Sequence, residues 1–311
     1  MKHLECMLWM SVAAALPAQT PSILLSKSEG GTQSYFGTSA CFVGDLDHDG
    51  RSEVAFGAPF ASLNGPGSGM VCVYRANGTK LFTLLGANYQ ELGVSIAALG
   101  DVNQDGIVDF VVGSGEGLPA AKGSVSVYSG ADGALLKKID GGESGGRFGS
   151  SVAGIGDVNS DGYPDFATVL SHSGGTITIW SGKDFGLLKS LGATAPGDAV
   201  GMVVANVGDI DGDGYADLGL GVPRANTGAS LGGLFRVYSG KTFAVLVEKS
   251  GSTVNAALGS ALAPLGGDWD GDGRADLLFT ENTPRPGEPD GASRARQTRR
   301  VLGLHLARQT S

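Results

Sequence analysis

The chain has 311 residues, of which 53 are glycine, 17% are charged and 7% are aromatic. This composition disfavours a helical protein and favours many short strands joined by turns. The net charge is −9 and no basic, aromatic-interleaved face precedes the last thirty residues, so we expect no nucleic-acid partner.

Residues 1–18 have the pattern of a secretory signal peptide. Lys2 and His3 give a positive start, an apolar run leads to Leu16, and Leu16-Pro17-Ala18 fits a cleavage site. The apolar run of about ten residues is too short to span a bilayer. We therefore predict a secreted protein, extracellular or at the cell surface, without a transmembrane anchor; the alternative is a buried N-terminal helix.

Two cysteines, Cys41 and Cys72, remain after that cleavage, and both lie in strand-like runs. In an exported protein they could form one disulfide or stay as buried free thiols. Their spacing alone leaves both alternatives open.

One acidic loop recurs five times, at intervals of 56, 56, 52 and 59 residues. Its copies begin at Asp45, Asp101, Asp157, Asp209 and Asp268. A period of this size indicates a propeller or a solenoid. Each copy follows an apolar or aromatic residue and a glycine, as in Phe36-Gly37, and precedes a short apolar strand.

Two more strands complete each of the first four units. The third strands are predicted at 69–74, 123–128, 175–180 and 233–238, and the fourth strands at 80–85, 134–139, 187–191 and 243–247. Their alternation is typical of strands, and Asn77-Gly78 is a strong hairpin signal. Because four antiparallel strands form a propeller blade, we predict an all-β protein, a β-propeller of about five four-stranded units over residues 19–280.

The fifth unit supplies its first two strands and then departs from the pattern. We expect residues 281–311, which are rich in Arg and Pro, to be a disordered tail. In the alternative, residues 301–307 form the missing third strand, and residues 22–26 close the ring as the outer strand of that blade.

The acidic loop has the donor spacing of a calcium site. Side-chain oxygens fall at positions 1, 3, 5 and 9, and position 7 offers its backbone carbonyl. Ca²⁺ takes about six to eight such oxygens. An EF-hand would need a glutamate at position 12 and flanking helices, whereas position 12 falls in a strand here. The remaining alternative is an Asp/Gly-rich turn without metal.

We predict up to five structural Ca²⁺ ions. The five loops hold 18 of the 31 acidic residues, so bound Ca²⁺ would offset the negative charge of the chain. Asn at position 3 of the second and third loops predicts weaker binding there. The predicted ligands, in chain order, are Asp45, Asp47, Asp49, Arg51 and Glu53; Asp101, Asn103, Asp105, Ile107 and Asp109; Asp157, Asn159, Asp161, Tyr163 and Asp165; Asp209, Asp211, Asp213, Tyr215 and Asp217; and Asp268, Asp270, Asp272, Arg274 and Asp276.

With Phe36-Gly37 before the loop and Gly57-Ala58-Pro59 after it, the unit resembles the FG-GAP repeat of integrin α-subunit propellers. The resemblance covers about residues 30–280, and only the first unit has Gly-Ala-Pro in full. It implies that the calcium sites stiffen loops on one face while partners bind the opposite face. Members of that family usually form more blades than five, so a five-bladed ring, a fragment and a ring completed by another chain are all open.

We therefore expect a non-enzymatic adhesion or recognition module with an extracellular protein or polysaccharide ligand. One alternative is an extracellular carbohydrate-active lyase or hydrolase with its site in the propeller channel. We predict no catalytic residue, because few His, Arg, Tyr or carboxylate side chains lie outside the five loops before residue 281. Another alternative is a truncated fragment without activity, whose open edges would favour self-association.

Overall fold

The computed structural model describes residues 28–29, 31, 33–115, 122–142, 146–171, 175–192, 202–265, 275–283 and 298–304. These residues form nineteen strands and no α-helix. The strands pair antiparallel in five sheets. Within the described ranges, no helix is long and apolar enough to cross a membrane.

Four of the sheets contain four strands each, in chain order. The strands are β1 (Ser39–Gly44), β2 (Glu53–Ala58), β3 (Met70–Tyr74) and β4 (Lys80–Leu85); β5 (Leu92–Gly100), β6 (Asp109–Ser114), β7 (Ser124–Tyr128) and β8 (Leu135–Asp140); β9 (Val152–Gly156), β10 (Asp165–Leu170), β11 (Thr176–Trp180) and β12 (Leu187–Gly192); β13 (Val203–Gly208), β14 (Asp217–Val222), β15 (Leu234–Tyr238) and β16 (Val245–Ser250). The predicted four-stranded units are thereby confirmed.

The fifth sheet contains β17 (Leu262–Pro264), β18 (Leu277–Thr283) and β19 (Thr298–Leu304). Thr298–Leu304 pairs with β18, so the expectation of a disordered tail is wrong for this stretch. The physical reason is that β18 offers a free edge and the sequence from Val301 alternates with period two, which suffices for pairing. Residues 22–26 lie outside the described residues, and ring closure by them stays a prediction.

The sheets follow one another around a common axis as the blades of a propeller. Each first strand lies beside the first strand of the next sheet, in the series β1, β5, β9, β13 and β17. Middle strands such as β3 and β6 are buried along their whole length, whereas the outer strand β8 is exposed at four of its six positions. An all-β propeller of about five blades, as the sequence predicts, is confirmed.

The hydrophobic core lies between consecutive blades. Val43, Val71 and Val73 of the first blade pack with Phe110 and Val112 of the second. The rings of Phe235 and Phe279 stack between the fourth and fifth blades with centroids 4.8 Å apart. Each fully buried side chain of this size contributes about 1.5–3 kcal/mol, so each blade depends on its neighbour for stability.

Glycine pairs set the closest approach between blades. A Cβ atom on Gly57 would lie 2.1 Å from the carbonyl oxygen of Gly93, and one on Gly113 would lie 1.9 Å from that of Gly149. The hydroxyl of Ser39 donates a hydrogen bond of 2.7 Å to the same carbonyl of Gly93. The glycine after one loop therefore contacts the glycine before the next loop, because any side chain would push the blades apart.

Both cysteines of the first blade are free thiols. Cys41 lies on β1 and Cys72 on β3, and β2 separates these two strands. Burial raises the pKa of both thiols. Of the two alternatives from the sequence, the structure has the free thiols.

Replacing Gly113 by Ala is expected to destabilise the propeller by about 3 kcal/mol, the upper end for overpacking, because the added methyl group meets rigid backbone. The measurement is the free energy of unfolding in urea. Gly192→Ala is the matched control, since a Cβ there meets no atom within 4 Å, and it should change stability by less than about 0.5 kcal/mol. Equal stabilities of the two variants would contradict the prediction that Gly113 sets the close contact between blades.

Candidate metal centres in the blade loops

Each of the first four acidic loops joins the first two strands of its blade and begins at a β-bulge. The ladder shifts register at Gly44, Gly100 and Gly208, whose φ angles are 93°, 109° and 79°. Positive φ is accessible to glycine without strain, and the bulge turns the chain out of the sheet. The residues of these four loops therefore project from one end of their blades.

The aspartate at position 1 organises the loop backbone. In the first loop, Asp45 Oδ1 accepts a hydrogen bond from Asp49 N at 3.1 Å, and Oδ2 accepts one from Gly50 N at 2.9 Å. The corresponding glycine amide bonds measure 2.8, 2.8 and 2.9 Å in the second, third and fourth loops. The repeated aspartate thus forms the same tight turn in each described loop.

The carboxylate at position 9 lies beneath the loop and is fully buried. Asp165 accepts hydrogen bonds of 3.0 Å from the backbone amides of Val158 and Gly182. Asp217 accepts bonds of 2.8 and 2.9 Å from Ile210 and Gly240. Each carboxylate therefore ties its acidic loop to the hairpin that follows the third strand.

The hairpin amides were missed by the sequence analysis. They belong to Gly130, Gly182 and Gly240. The available signal was the Ser-Gly pair that follows the third strand in the second, third and fourth units. A Cβ on any of these glycines would lie within about 2 Å of a carbonyl oxygen of the loop, so the position requires glycine.

Three predicted carboxylate ligands converge in each of two loops. Their oxygens lie within 4.8 Å of one another, and they come from positions 1, 3 and 9. The groups are Asp45, Asp47 and Glu53 in the first loop, and Asp209, Asp211 and Asp217 in the fourth. Among the described residues, these are the loops in which acidic side chains gather as the spacing predicts.

Positions 5 and 7 bond to each other in every described loop. The position-7 amides of Arg51, Ile107, Tyr163 and Tyr215 donate to Oδ1 of Asp49, Asp105, Asp161 and Asp213, respectively, at 2.8–3.0 Å. Asp49 and Asp213 stand outside the two converging groups. The ligand roles predicted for these positions stay predictions.

The second and third loops carry an amide where the others carry a carboxylate. Asn103 Nδ2 donates to Asp105 Oδ2 at 2.8 Å, and Asn159 Nδ2 donates to Asp161 Oδ2 at 3.1 Å. The amide therefore donates a hydrogen bond to the neighbouring carboxylate and adds no negative charge to the loop. Weaker cation binding at these two loops stays a prediction.

Most of the fifth loop, including Asp268, Asp270, Asp272 and Arg274, lies outside the described residues. Asp276 is described and is 4% exposed. It occupies the same buried position 9 as its counterparts, and its backbone carbonyl accepts a hydrogen bond of 2.8 Å from Leu265 N.

The residues of the two converging groups fit a hard cation. Burial raises the pKa of Asp217 to about 6 and also raises that of Glu53. Glu53 Oε1 is buried and has no hydrogen-bond partner. A cation held by several carboxylate oxygens would remove the repulsion and use this oxygen, which is the donor chemistry that Ca²⁺ prefers.

The first loop differs from the others in one contact that the sequence analysis missed. Arg75 Nε donates to Asp47 Oδ2 in an ion pair. This hydrogen bond lowers the pKa of Asp47. The available signal was that Arg75 stands directly after the third strand, where the next three units have serine.

The tyrosine at position 7 of the fourth loop contacts the third loop. The hydroxyl of Tyr215 forms a hydrogen bond of 2.8 Å with Ser160 Oγ of the third loop. The ammonium of Lys241 lies 5.0 Å from the ring centroid of Tyr215, and that of Lys183 lies 5.4 Å from the ring of Tyr163. The third and fourth loops are therefore in direct contact.

An exposed aromatic patch lies at the opposite end of the first blade. It comprises Tyr35, Phe60, Leu63 and Tyr89, which are 65%, 46%, 61% and 45% exposed. These residues precede β1, join β2 to β3, or join β4 to β5, so they lie away from the acidic loops. The rings of Tyr35 and Phe60 meet edge to face at 5.3 Å.

Two stretches of the chain match protein-family models. Residues 36–74 match the FG-GAP repeat, and residues 157–220 match the FG-GAP-like repeat. Integrin alpha-5 from Xenopus laevis is 29% identical over 220 residues, which are 62% of this chain and 20% of that protein. Integrin alpha-3 from Mus musculus is 37% identical over 153 residues, which are 43% of this chain and 14% of that protein. The chain thus spans a fifth or less of the length of these relatives.

A solved structure of a protein of unknown function from Bacteroides caccae also resembles the chain. It aligns with 78% of this chain and 69% of that chain, with a TM-score of 0.47 and 11% sequence identity. This likeness is too weak to support an argument about fold or function.

Stabilisation of the protein by Ca²⁺ is expected to shrink as the pH falls from about 7.5 to about 5. The folded-state pKa of Asp165 and Asp217, about 6, exceeds the ordinary value of 3.8, so the metal-free fold binds extra protons between these values. Their contribution to metal-free stability is present below pH 3.8 and is lost as the pH rises through 6. Cations must displace these protons, so the stabilisation that a bound cation provides increases as the pH rises.

The measurement is the difference in melting temperature between Ca²⁺ and EDTA at each pH. Asp132→Asn, in a hairpin turn, is the control and should keep the pH dependence. Asp217→Asn should weaken it, since the amide does not titrate. A Ca²⁺ effect independent of pH would contradict the prediction.

Proposed function

The chain is a β-propeller of the FG-GAP, integrin α type, and from this premise we propose that it is a non-enzymatic recognition module whose blade loops are held by structural Ca²⁺. We propose further that it acts outside the cell or at the cell surface and that its ligand is an extracellular protein or a polysaccharide. The integrin α likeness supports both statements.

The observation that carries the calcium role is the convergence of three carboxylates in each of two loops. Asp209, Asp211 and Asp217 approach one another within 4.8 Å, and Asp217 is fully buried. Like charges at this separation destabilise a loop unless they are protonated or neutralised. Ca²⁺, when bound, supplies that neutralising charge, while the aspartates and their hydrogen-bonded amides hold the loop in place.

The recognition role is assigned to the opposite end of the blades. Large apolar side chains that stay exposed and adjacent on a folded protein mark interaction sites. The aromatic patch meets this description, and its rings can contact either a protein side chain or the apolar face of a sugar. Cation loops and recognition surface would then occupy the two ends of the propeller.

Removal of calcium is expected to lower the melting temperature. A site held at a hundred times its dissociation constant adds about 2.7 kcal/mol, which corresponds to about 5–10 °C for a domain of this size. The measurement is thermal unfolding of the full chain in excess Ca²⁺ and in EDTA. Asp209→Asn combined with Asp211→Asn should remove part of the difference, and Asp132→Asn should not. Superimposable curves in Ca²⁺ and EDTA would refute the calcium role.

Changing the aromatic patch is expected to weaken ligand binding without loss of stability. The probes are immobilised collagen, fibronectin, heparin and xylan, tested with the full chain in Ca²⁺ by biolayer interferometry. Tyr35→Ser combined with Phe60→Ser should weaken binding by at least about tenfold, as expected for aromatic hot spots. Leu135→Ser, at a 54% exposed position on β8, is the matched control. Failure of the wild type to bind any probe, or unchanged binding by the double variant, would count against the proposed surface.

A further inference from the structure

We propose that Arg75 is a built-in cation of the first acidic loop and that it competes with Ca²⁺ for Asp47. The inference rests on the proposed function in one respect, namely that this loop binds Ca²⁺. It goes further because it states that Arg75, a side chain outside the loop, controls the cation affinity of that site.

The ion pair occupies one oxygen of a carboxylate that belongs to the converging acidic group. Arg75 Nε contacts Asp47 Oδ2, and the two side chains are 33% and 21% exposed. The other oxygen of this carboxylate, Oδ1, accepts a hydrogen bond of 3.3 Å from Asp49 N. Both oxygens of Asp47 therefore have partners, and one of these partners carries a positive charge.

A second observation shows that Arg75 does not complete the site. Glu53 is 0% exposed, and its Oε2 accepts a hydrogen bond of 2.6 Å from Leu46 N. Its Oε1 is buried without a hydrogen-bond partner. Since Asp45, Asp47 and Glu53 converge within 4.8 Å, this oxygen belongs to an acidic group that Arg75 neutralises at one member only.

The Arg75–Asp47 ion pair and the unpaired oxygen of Glu53 are both explained by the hairpin after the third strand. Five residues separate β3 from β4, whereas six separate the corresponding strands of the next three blades. Ala76 stands where those blades have the glycine whose amide binds the buried carboxylate. The shorter hairpin of the first blade thus supplies a guanidinium to the carboxylate at position 3. In the next three blades the hairpin supplies an amide to the carboxylate at position 9.

Arg75 and Ca²⁺ cannot share the loop without repulsion. A guanidinium stays protonated at any physiological pH, so the competition cannot be relieved by loss of a proton. Two cations on neighbouring oxygens repel each other, and Ca²⁺ therefore gains Asp47 only as Arg75 leaves it. At low calcium, the same residue keeps the first loop partly neutralised.

Residue-resolved NMR of the full chain tests the inference. The reporters are the amide of Gly50, which donates to Asp45, and the amide of Gly214, which donates to Asp209. Each variant is titrated with Ca²⁺ alone. Arg75→Gln should lower the calcium midpoint of the Gly50 signal by about fivefold, the upper range for a screened ion pair, and leave that of Gly214 unchanged.

Two controls separate competition from a general effect of charge. Lys241→Gln removes a positive charge from the equivalent hairpin of the fourth blade and should change the Gly50 midpoint by less than about twofold. Arg75→Lys keeps the charge but loses the planar fork, and its midpoint should fall between those of the wild type and Arg75→Gln. In the wild type, the Arg75 Nε–H signal should shift over the same calcium range as Gly50.

The outcomes distinguish the two proposals. If neither Gly50 nor Gly214 responds to Ca²⁺, the proposed cation role fails and this inference fails with it. If both respond but Arg75→Gln leaves the Gly50 midpoint unchanged, only the competition is refuted. If Gly50 saturates while the Arg75 Nε–H signal of the wild type stays in place, the competition is likewise refuted, without reference to any variant.

Discussion

The buried carboxylate at position 9 of each acidic loop is the interaction on which the blades depend. In the third and fourth blades it accepts hydrogen bonds from one or two amides of its own loop and from one amide of the hairpin beyond the third strand. Burial opposes the charge that makes these hydrogen bonds strong, which is why the pKa of Asp165 and Asp217 rises to about 6. A cation at the loop favours the charged form, so metal binding and the tie between loop and hairpin support each other.

The glycines at the start of the acidic loops also contribute to the contact between blades. A Cβ on Gly44 would lie 3.0 Å from Val108, and one on Gly100 would lie 2.8 Å from Pro164; both neighbours directly precede a position-9 carboxylate. The first, second and fourth loops therefore rest on the residue beside the buried carboxylate of the next blade. Together with the glycine pairs and the stacked rings between blades, this contact explains why a cation bound at one loop would stabilise more than its own blade.

The repeats differ in the side chains that contact their acidic residues. The second and third loops use the amides of Asn103 and Asn159, the first uses the guanidinium of Arg75, and the fourth gathers three carboxylates. One backbone turn thus accommodates several balances of charge, because the aspartate at position 1 forms the turn in every case. Under the proposed function, these loops support the blades and recognition takes place at the opposite end.

The sequence by itself determined the all-β propeller, the strand order within blades and the position of the loops, because period, alternation and turn residues are local properties of the chain. It also predicted ligands at positions 1, 3, 5, 7 and 9, of which the structure brings those at positions 1, 3 and 9 together in the first and fourth loops. Only the tertiary structure decided which residues meet between strands far apart in sequence. The hairpin glycines, Arg75 beside Asp47 and the unpaired oxygen of Glu53 depend on hairpin length and on contacts across 17 to 28 residues, which no local pattern records. The pairing of Thr298–Leu304 with β18 is likewise decided by a free strand edge rather than by the repeated motif.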